Sequence, residues 1–254
     1  MPYTIIAVVN QKGGVGKTTT TVNVAAQLAT AEKPVLLVDL DPQGNATSGL
    51  GFNKESLGAS SYEVLCQDVP LADAVVETRI PGLFVLPANA NLAGAEVDLV
   101  QLQRREFQLQ KALATSSYAY VLIDCPPSLG LLTVNALTAA NNVLIPVQSE
   151  YYALEGLSQL LHTVQRVRQT LNPPLALLGV VITMFDKRTS LSEQVLHEIK
   201  NYFGDKLFKT IIPRNVRLAE APSFGQTIFE HDKWSKGARA YKQLAKEVTK
   251  RVQH

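Results

Sequence analysis

The fold of this chain is decided by a glycine-rich run near the start of the sequence, Lys12-Gly13-Gly14-Val15-Gly16-Lys17-Thr18-Thr19. Its spacing matches the phosphate-binding loop pattern G-x-x-x-x-G-K-[ST], with Gln11 at the position of the first glycine. The glycines allow main-chain N–H groups to turn inward and form a nest for an anion. Lys17 has the spacing to reach the β- and γ-phosphates of a nucleotide, and the Thr18 hydroxyl is suited to Mg²⁺.

The sequence on both sides of the loop supports this interpretation. Residues 4–9 form a short apolar strand pattern, and residues 19–30 show helical periodicity. A glycine turn that merely joins a strand to a helix would need neither the lysine nor the threonine. Lys12 is a second cation that a single nucleotide does not require, and the alternative is an ordinary surface lysine beside the loop.

Apolar, β-branched runs recur along the chain and alternate with helical stretches; they cover residues 35–38, 83–86, 120–123, 143–147, 177–183 and 207–212. This alternation predicts an α/β fold with a doubly wound, mostly parallel, twisted sheet and helices on both faces. Strong helical patterns cover residues 154–171, 191–203 and 237–252. Ligands bind at the carboxyl ends of the strands in such sheets, where Asp39, Asp41 and Asp124 are expected.

Composition excludes several classes of protein. Hydrophobic residues make up 46% of the 254 residues, which is enough for a sizeable core, but no run of 18 apolar residues predicts a transmembrane helix. No signal-peptide pattern precedes the first strand. Cys66 and Cys125 are too few for a disulfide framework, and buried thiols are favoured over iron–sulfur ligands. These features predict a cytoplasmic protein.

The net charge of +2 hides an asymmetry along the chain. Residues 1–186 contain 10 Lys and Arg against 15 Asp and Glu, whereas residues 187–254 contain 14 against 7. A basic final quarter on an acidic body is typical of a surface for a polyanion. Lysines on a solvated helical face would give the same charge, so composition leaves both interpretations open.

The run at residues 12–19, with its additional lysine, matches the deviant Walker A motif, and the chain resembles the ParA/Soj family of DNA-partitioning ATPases. The larger group includes MinD and the nitrogenase iron protein. The resemblance extends along nearly the whole chain and includes VDLDPQGN at 38–45, LIDCPPS at 122–128 and PRNVRLAEAPS at 213–223. It implies a P-loop NTPase fold in a single domain over residues 1–254, without a separate N-terminal DNA-binding domain, and a weak ATPase activity that a partner stimulates.

The resemblance also assigns residues to the site, with ATP and Mg²⁺ as cofactors. The implied catalytic residues are Lys12, Lys17 and Asp41: Asp41 would position the attacking water, and Lys12 would reach across a homodimer to the other subunit's ATP. The ATP contacts would be Lys12, Gly13, Gly14, Val15, Gly16, Lys17, Thr18 and Thr19, with Met184, Pro213 and Asn215 on the adenine side. Thr18, Asp39, Asp41 and Asp124 would form the metal site, although Asp39 could instead be a turn residue.

The resemblance further implies macromolecular partners. Lys187, Arg188 and Arg217 match positions that bind double-stranded DNA without sequence preference once ATP has formed the dimer. A ParB/Spo0J-like centromere-binding protein would stimulate hydrolysis, and the protein would be associated with the nucleoid without stable membrane binding. The alternative is a MinD-like membrane-associated ATPase that positions cell division, but the apolar side of the C-terminal helical pattern is small. Whether the replicon is a chromosome or a plasmid stays open.

Overall fold

A seven-stranded sheet forms the centre of the molecule in the computed structural model, which describes residues 4–150 and 153–253. The strands are β1 (Thr4–Val8), β2 (Val35–Asp39), β3 (Val76–Glu77), β4 (Leu83–Leu86), β5 (Tyr120–Asp124), β6 (Asn142–Gln148) and β7 (Ala176–Thr183). Their order in space is β3-β4-β2-β5-β1-β6-β7, and β3, at one edge, pairs antiparallel with β4. The other pairings are parallel, which confirms the predicted mostly parallel sheet.

The described helices are α1 (Lys17–Leu28), α2 (Asn45–Gly49), α3 (Ser61–Cys66), α4 (Leu71–Ala74), α5 (Ala95–Asp98), α6 (Gln108–Leu113), α7 (Leu131–Ala139), α8 (Ala153–Thr170), α9 (Ser190–Phe203), α10 (Val216–Glu220), α11 (Ile228–His231) and α12 (Lys236–Val252). The three strong helical patterns of the sequence correspond to α8, α9 and α12. Short helices and 3-10 turns occupy much of the stretch between β2 and β5.

Helices cover both faces of the sheet, and the alternation of side chains along each strand divides the core in two. In β1, Ile5 and Ala7 belong to one core, whereas Ile6 and Val8 belong to the other. The first core includes side chains of α3 and α6–α9, and the second includes those of α1 and α12. Central strands are therefore buried on both faces, which explains their continuous apolar runs. The described strands share this one sheet. The single domain over residues 1–254 stays a prediction.

The C-terminal helix α12 packs its apolar side against the body. Tyr241, Leu244 and Val248 are buried, and the Tyr241 hydroxyl lies 3.1 Å from Thr20 Oγ1 of α1. Insertion of this helix into lipid would require these residues to leave the core, so the packing gives no support to the MinD-like alternative. Within residues 4–150 and 153–253, no helix has the length and apolar character needed to cross a membrane.

The predicted strand at residues 207–212 is wrong. In the described chain this segment makes isolated bridges beside β7 rather than a continuous ladder. Side chains of α12 bind other backbone groups of the segment: Arg251 donates to the Leu207 carbonyl at 2.8 Å, and Glu247 accepts from the N–H groups of Lys209 and Thr210 at 2.9 and 3.1 Å. The N–H groups of Phe208 and Ile212 still donate to the Val180 and Ile182 carbonyls of β7, both at 2.8 Å, so the segment runs beside β7 with separate backbone bonds and forms no regular strand.

The sheet positions the candidate site because its parallel strands end at one edge. β1 leads into the glycine-rich loop, and Asp39 of β2 lies directly opposite Asp124 of β5 in the strand register. β7 ends at Thr183, immediately before Met184. Residues that are far apart in the chain therefore meet around one loop.

Candidate functional site

The loop between β1 and α1 has the backbone shape that its glycines predict. Gly14 and Gly16 have positive φ angles of 75° and 84°, a conformation that strains residues with a side chain. A Cβ atom placed on Gly13 or Gly14 would meet no heavy atom within 4 Å, so open space borders the loop. Gly16 is the N-cap of α1, and the first turn of this helix has no acidic residue. The loop and the positive end of the helix therefore form a site that favours an anion.

Side chains from neighbouring strands hold the loop in place. Asn10 donates to the Pro146 carbonyl of β6 at 2.7 Å and accepts from the Lys12 N–H at 3.0 Å. The Thr183 hydroxyl, at the end of β7, donates to the carbonyl of the buried Val15 at 2.8 Å. Asn10 and Thr183 carry no local sequence signal for this role, because each has its partner in a segment that is distant in the chain. These contacts fix the loop before any phosphate binds.

Lys17, the first residue of α1, is buried beside the acidic side chains of the site. Its ammonium group donates to the Lys12 carbonyl at 3.1 Å. Burial lowers the pKa of Lys17, while the carboxylates of Asp124 and Asp41 act in the opposite direction. A bound phosphate would place negative charge beside the desolvated ammonium group of Lys17 and would stabilise its charged form.

Asp124 ends β5 with both carboxylate oxygens hydrogen-bonded. Oδ2 accepts from the Thr18 hydroxyl at 2.7 Å, and Oδ1 accepts from the Thr21 hydroxyl at 3.1 Å. Burial, followed by the charge of Asp39, raises the pKa of Asp124 to about 8, although both hydroxyls favour the ionised form. A divalent cation beside Thr18 would favour ionisation. Thr21 was missed in the sequence, yet its place three residues after Thr18 puts it on the same side of α1.

Asp39 and Asp41 make different contacts in the turn after β2. Asp39 is fully buried and accepts from the Asp41 N–H at 3.2 Å and from the N–H and hydroxyl of Thr47 at 2.9 and 2.7 Å. Burial raises the pKa of Asp39 to about 6. These contacts support a turn role for Asp39, and its metal role stays a prediction. Asp41 is 7% exposed, lines the cavity, and accepts from the Gln43 N–H at 2.9 Å.

The donor set fits a magnesium ion held partly by its ligand. Among the described residues, no group of three His, Cys, Asp or Glu side chains is placed to hold a metal ion by itself. Mg²⁺ commonly keeps several waters and binds through one or two protein oxygens together with substrate phosphates. The Thr18 hydroxyl, with Asp124 hydrogen-bonded to it and Asp41 in the same cavity, offers that kind of partial site.

Two adjoining cavities accommodate the predicted phosphate and base contacts. The first, of about 500 Å³, is lined by Gly13, Lys17, Thr18 and Asp41 among others. The second, of about 370 Å³, is lined by the predicted adenine-side residues Met184, Pro213 and Asn215. The two cavities share Gly16, Thr19, Met184 and Leu218. The first cavity also has lining residues that were not predicted from the sequence: Val22, Asn23, Gln43, Asn45, Ser48, Gly49, Pro127, Leu218, Ala221, Pro222 and Gln226.

Lys12 forms an ion pair with Glu150, which follows β6. The two side chains are 46% and 44% exposed. Glu150 had no sequence signal as a partner, since it lies 138 residues along the chain from Lys12. Lys12 is therefore a surface cation whose present partner is a solvent-exposed carboxylate, and a second molecule can reach it.

The predicted DNA-binding residues lie on two neighbouring segments that a backbone hydrogen bond joins. The N–H of Arg214 donates to the Phe185 carbonyl at 3.0 Å, which ties the turn before α10 to the turn after β7. Lys187 and Arg188 belong to the turn after β7, and Arg217 belongs to α10. The structure thus brings the three predicted residues to neighbouring elements beside the cavity that Met184 and Pro213 line.

Arg188 and Arg217 are both paired with carboxylates in the structure. Arg188 makes a bidentate contact with Asp186, at 2.9 Å to Oδ1 and 2.6 Å to Oδ2, and this contact lowers the pKa of Asp186. Arg217 lies 2.9 Å from Glu220. The arginine side chains are 86% and 57% exposed. Ion pairs of such exposure are weak, so phosphate groups can compete for both guanidinium groups.

A known protein family and several known proteins are similar to this chain over most of its length. A family model described as an AAA domain matches residues 3–177. The chain is 57% identical over 246 residues to sporulation initiation inhibitor protein Soj of Bacillus subtilis, covering 96% of this chain and 97% of the relative. It is 51% identical over 254 residues to chromosome partitioning protein ParA of Caulobacter vibrioides, covering 98% and 95%. It is 54% identical over 248 residues to chromosome-partitioning ATPase Soj of Thermus thermophilus, covering 98% and 96%.

Solved structures share the fold. A Mycobacterium smegmatis protein described as cobyrinic acid a,c-diamide synthase, with bound ADP and magnesium, is 41% identical and superposes with a TM-score of 0.87, over 99% of this chain and 96% of that one. A putative plasmid partition protein from Borrelia burgdorferi B31, bound to AMPPNP, superposes with a TM-score of 0.80 over 99% of both chains. At 24% identity, the second likeness concerns the fold alone.

Proposed function

The chain belongs to the ParA/Soj family of chromosome-partitioning ATPases, and on this premise we propose that it is an ATP-driven switch that binds DNA and releases it. The observation that carries the proposal is the combination of a phosphate loop with a second lysine at the surface. Lys17 is buried beside the acidic site, whereas Lys12 is half exposed. A cation in the second position is available to the nucleotide of another subunit.

Identity favours partitioning over the synthase reaction named for the Mycobacterium smegmatis protein. The partitioning relatives share 51% to 57% of their residues with this chain, compared with 41% for the synthase. The proposed role is therefore segregation of a chromosome or a plasmid. The proposed location is the cytoplasm, at the nucleoid.

ATP and Mg²⁺ are the cofactors of the proposed reaction. Lys17 and the N–H groups of the loop would bind the phosphates, and Thr18 with Asp124 and Asp41 would hold the metal ion. The bound ion would supply positive charge to the phosphate oxygens. The second cavity, with Met184 at its border with the first, would receive the adenine.

Hydrolysis of ATP depends mainly on alignment of the attacking water and neutralisation of charge. Lys17 neutralises charge on its own subunit's nucleotide, and Lys12 of the second subunit does so from the opposite side. Asp41 positions the water, and its hydrogen bond from the Gln43 N–H holds the carboxylate at the cavity wall. Because Asp41 acts on the water, its removal affects turnover more than nucleotide binding.

Replacing Asp41 by alanine is expected to trap the ATP-bound dimer. Loss of a group that orients or accepts a proton from the nucleophile costs roughly 10²- to 10⁴-fold in rate, while the phosphate contacts remain. Turnover of ATP and sizing chromatography with ATP measure the two effects. Asp205→Ala, which removes an exposed carboxylate at the other edge of the sheet, is the control. An Asp41→Ala protein that hydrolyses ATP at the wild-type rate, or that stays monomeric with ATP, contradicts the assignment.

ATP controls DNA binding through the dimer. A contact between Lys12 and the terminal phosphate of the opposite subunit stabilises the dimer with ATP and is lost with ADP. The dimer presents two copies of Lys187, Arg188 and Arg217, and affinity for DNA rises steeply with the number of phosphates neutralised. A monomer has one copy of each of these residues and makes few phosphate contacts. Because hydrolysis removes the ATP that stabilises the dimer, release from DNA follows it.

Replacing both Arg188 and Arg217 by alanine is expected to abolish ATP-dependent DNA binding and to leave ATP-dependent dimerisation intact. Both side chains are exposed, so the fold should not change. DNA retardation and sizing chromatography, each with ATP, separate the two properties. A double replacement of the exposed Arg166 and Arg168 on α8 is the matched control. Normal retardation by the Arg188/Arg217 variant at moderate salt would show that the DNA surface lies elsewhere.

The full cycle can be tested with one set of measurements. DNA retardation is compared with ADP, with ATP and with a slowly hydrolysed analogue, with and without a ParB-like basic peptide. At moderate salt, the proposal expects binding with ATP and the analogue, little with ADP, and release by the peptide with ATP alone. Equal binding with all three nucleotides at moderate salt would rule out the switch.

A further inference from the structure

A second basic surface lies at the opposite edge of the sheet from the nucleotide site. It is an open cleft of about 890 Å³ between the starts of β6 and β7, the segment that follows α9, and helix α12. Ala176, which begins β7, lines the cleft, and Thr183, which ends β7, contacts the phosphate loop. At about 3.3 Å per residue, the eight residues of β7 place the cleft roughly 20 Å from that loop.

The cleft carries a large part of the basic charge of the final quarter of the sequence. Five cations and two carboxylates line it. Four of the cations are the exposed lysines Lys206, Lys209, Lys246 and Lys250, and within residues 4–150 and 153–253 their ammonium groups form no ion pair. Arg188 and Arg217, in contrast, are both paired with carboxylates. The unpaired lysines therefore offer positive charge without first giving up an internal partner.

The shape of the cleft is fixed by side chains that do not need a ligand. Arg251 donates to the carbonyls of Leu178, Lys206 and Leu207 at 3.0, 3.1 and 2.8 Å, which fastens α12 to β7 and to the segment after α9. Glu247 accepts from the other side of that segment, including the Thr210 hydroxyl at 3.0 Å. The backbone positions of the two lysine-bearing walls are therefore set before binding, which lowers the cost of ordering them.

We propose that this cleft binds the phosphate backbone of double-stranded DNA independently of the bound nucleotide. The inference rests on the proposed function, because it takes DNA as the polyanion. Lysines suit phosphate contacts without sequence preference. A lipid surface fits less well: the large exposed hydrophobic residues of the described chain are Val97, Val100, Leu191, Tyr202, Val216, Phe224 and Trp234, and none of them lines the cleft.

A contact of this kind gives the monomer a weak affinity for DNA that hydrolysis does not remove. The cleft lies at the edge away from the phosphate loop, and its lysines belong to one chain. After release of the stronger, dimer-dependent contact, the chain stays close to the nucleoid. Renewed ATP binding then occurs near DNA, which shortens the search for the next site.

The test measures the affinity of the 254-residue chain for a short DNA duplex with ADP, between about 50 and 200 mM salt. Four phosphate contacts predict a slope of log K against log salt near −3.6, and so roughly a 10²-fold loss of affinity over that range. The double variants Lys206→Gln/Lys209→Gln and Lys246→Gln/Lys250→Gln should each reduce the slope by about 1.8. The charge-matched variant Lys33→Gln/Lys111→Gln, on exposed lysines outside the cleft, should keep the wild-type slope.

The proposal is overturned if wild-type protein with ADP does not bind the duplex at the lowest salt, or if the two cleft variants keep the wild-type slope. It is also overturned if the Lys33/Lys111 variant loses as much as the cleft variants, or if vesicles of phosphatidylglycerol are bound through the cleft lysines and DNA is not. The ATP-dependent increase in affinity reports separately on the proposed switch. If that increase persists while the ADP contact fails, the cleft assignment is wrong and the proposed function stands.

Discussion

Replacing Lys12 by alanine is expected to leave ATP binding to the monomer intact and to abolish ATP-driven dimerisation and hydrolysis. The loop glycines, Lys17 and Thr18 remain to hold the nucleotide. A cation supplied from a second subunit to the transferred phosphate is worth about 10³- to 10⁵-fold in rate in related phosphoryl-transfer systems, and a loss of similar size is expected here. Turnover of ATP, nucleotide affinity and sizing chromatography with ATP measure the three properties.

The stability of the variant should be close to that of the wild type. Lys12 is about half exposed, and its ion pair with Glu150 is of the surface kind that contributes roughly 0 to 1 kcal/mol. Loss of activity would therefore not reflect unfolding. Lys33→Ala, at another exposed lysine, is the control that should keep all three properties. Lys17→Ala, at the buried lysine of the loop, is the control that should lose nucleotide binding itself. If the Lys12→Ala protein dimerises with ATP and hydrolyses it at the wild-type rate, Lys12 does not couple ATP binding to dimerisation, and the proposed switch is wrong.

The phosphate loop could be predicted from the sequence because its chemistry is local. Eight consecutive residues contain the glycines that require positive φ, the lysine and the threonine, and the flanking patterns supply a strand and a helix. The carboxyl ends of parallel strands meet at one edge, so Asp39 and Asp124 could be placed near the loop before their register was known. The partners of these residues could not, since Glu150 and Thr47 carry no pattern that connects them to Lys12 or Asp39.

The segment at residues 207–212 shows why an apolar run does not define a strand. Its composition predicts an extended backbone, but membership of a sheet depends on where the N–H and carbonyl groups find partners. Here Phe208 and Ile212 donate to carbonyls of β7, whereas side chains of α12 bind other backbone groups of the segment. The α12 residues that make these contacts, Glu247 and Arg251, also line the basic cleft.

The second large effect is expected from replacing Asp124 by asparagine. The variant should lose ATP hydrolysis, because a neutral amide is a poor partner for the metal ion and its waters. It should nevertheless be more stable than the wild type at pH 8 when nucleotide and magnesium are removed. Burial opposes the ionised carboxylate, and the neighbouring Asp39 and Asp41 add like charge. Asparagine keeps the size of the side chain, and the hydroxyls of Thr18 and Thr21 can donate or accept.

The expected pH dependence has a definite sign. The pKa of Asp124 is about 8 in the folded protein, above the ordinary value of 3.8. Between these values the folded state binds a proton that the unfolded state has released, so the free energy of unfolding falls as pH rises. For one proton the slope is at most about 1.4 kcal/mol per pH unit, and Asp39, whose pKa is about 6, shares the effect. Unfolding by urea with EDTA, from pH 5 to pH 8, should show a smaller decline for Asp124→Asn than for the wild type.

Magnesium and ATP should reverse this order. A ligand that binds only the folded state stabilises it by about 2.7 kcal/mol when the ligand concentration is a hundred times the dissociation constant. The wild type is stabilised by this amount, whereas the variant, which binds the ligand more weakly, is stabilised much less. The Asp124→Asn protein should therefore unfold after the wild type without ligand at pH 8 and before it with magnesium and ATP. Glu32→Gln, at an exposed carboxylate, should preserve the wild-type order in both conditions. Parallel pH profiles for Asp124→Asn and the wild type would show that ionisation of Asp124 does not destabilise the ligand-free protein, and would contradict the prediction.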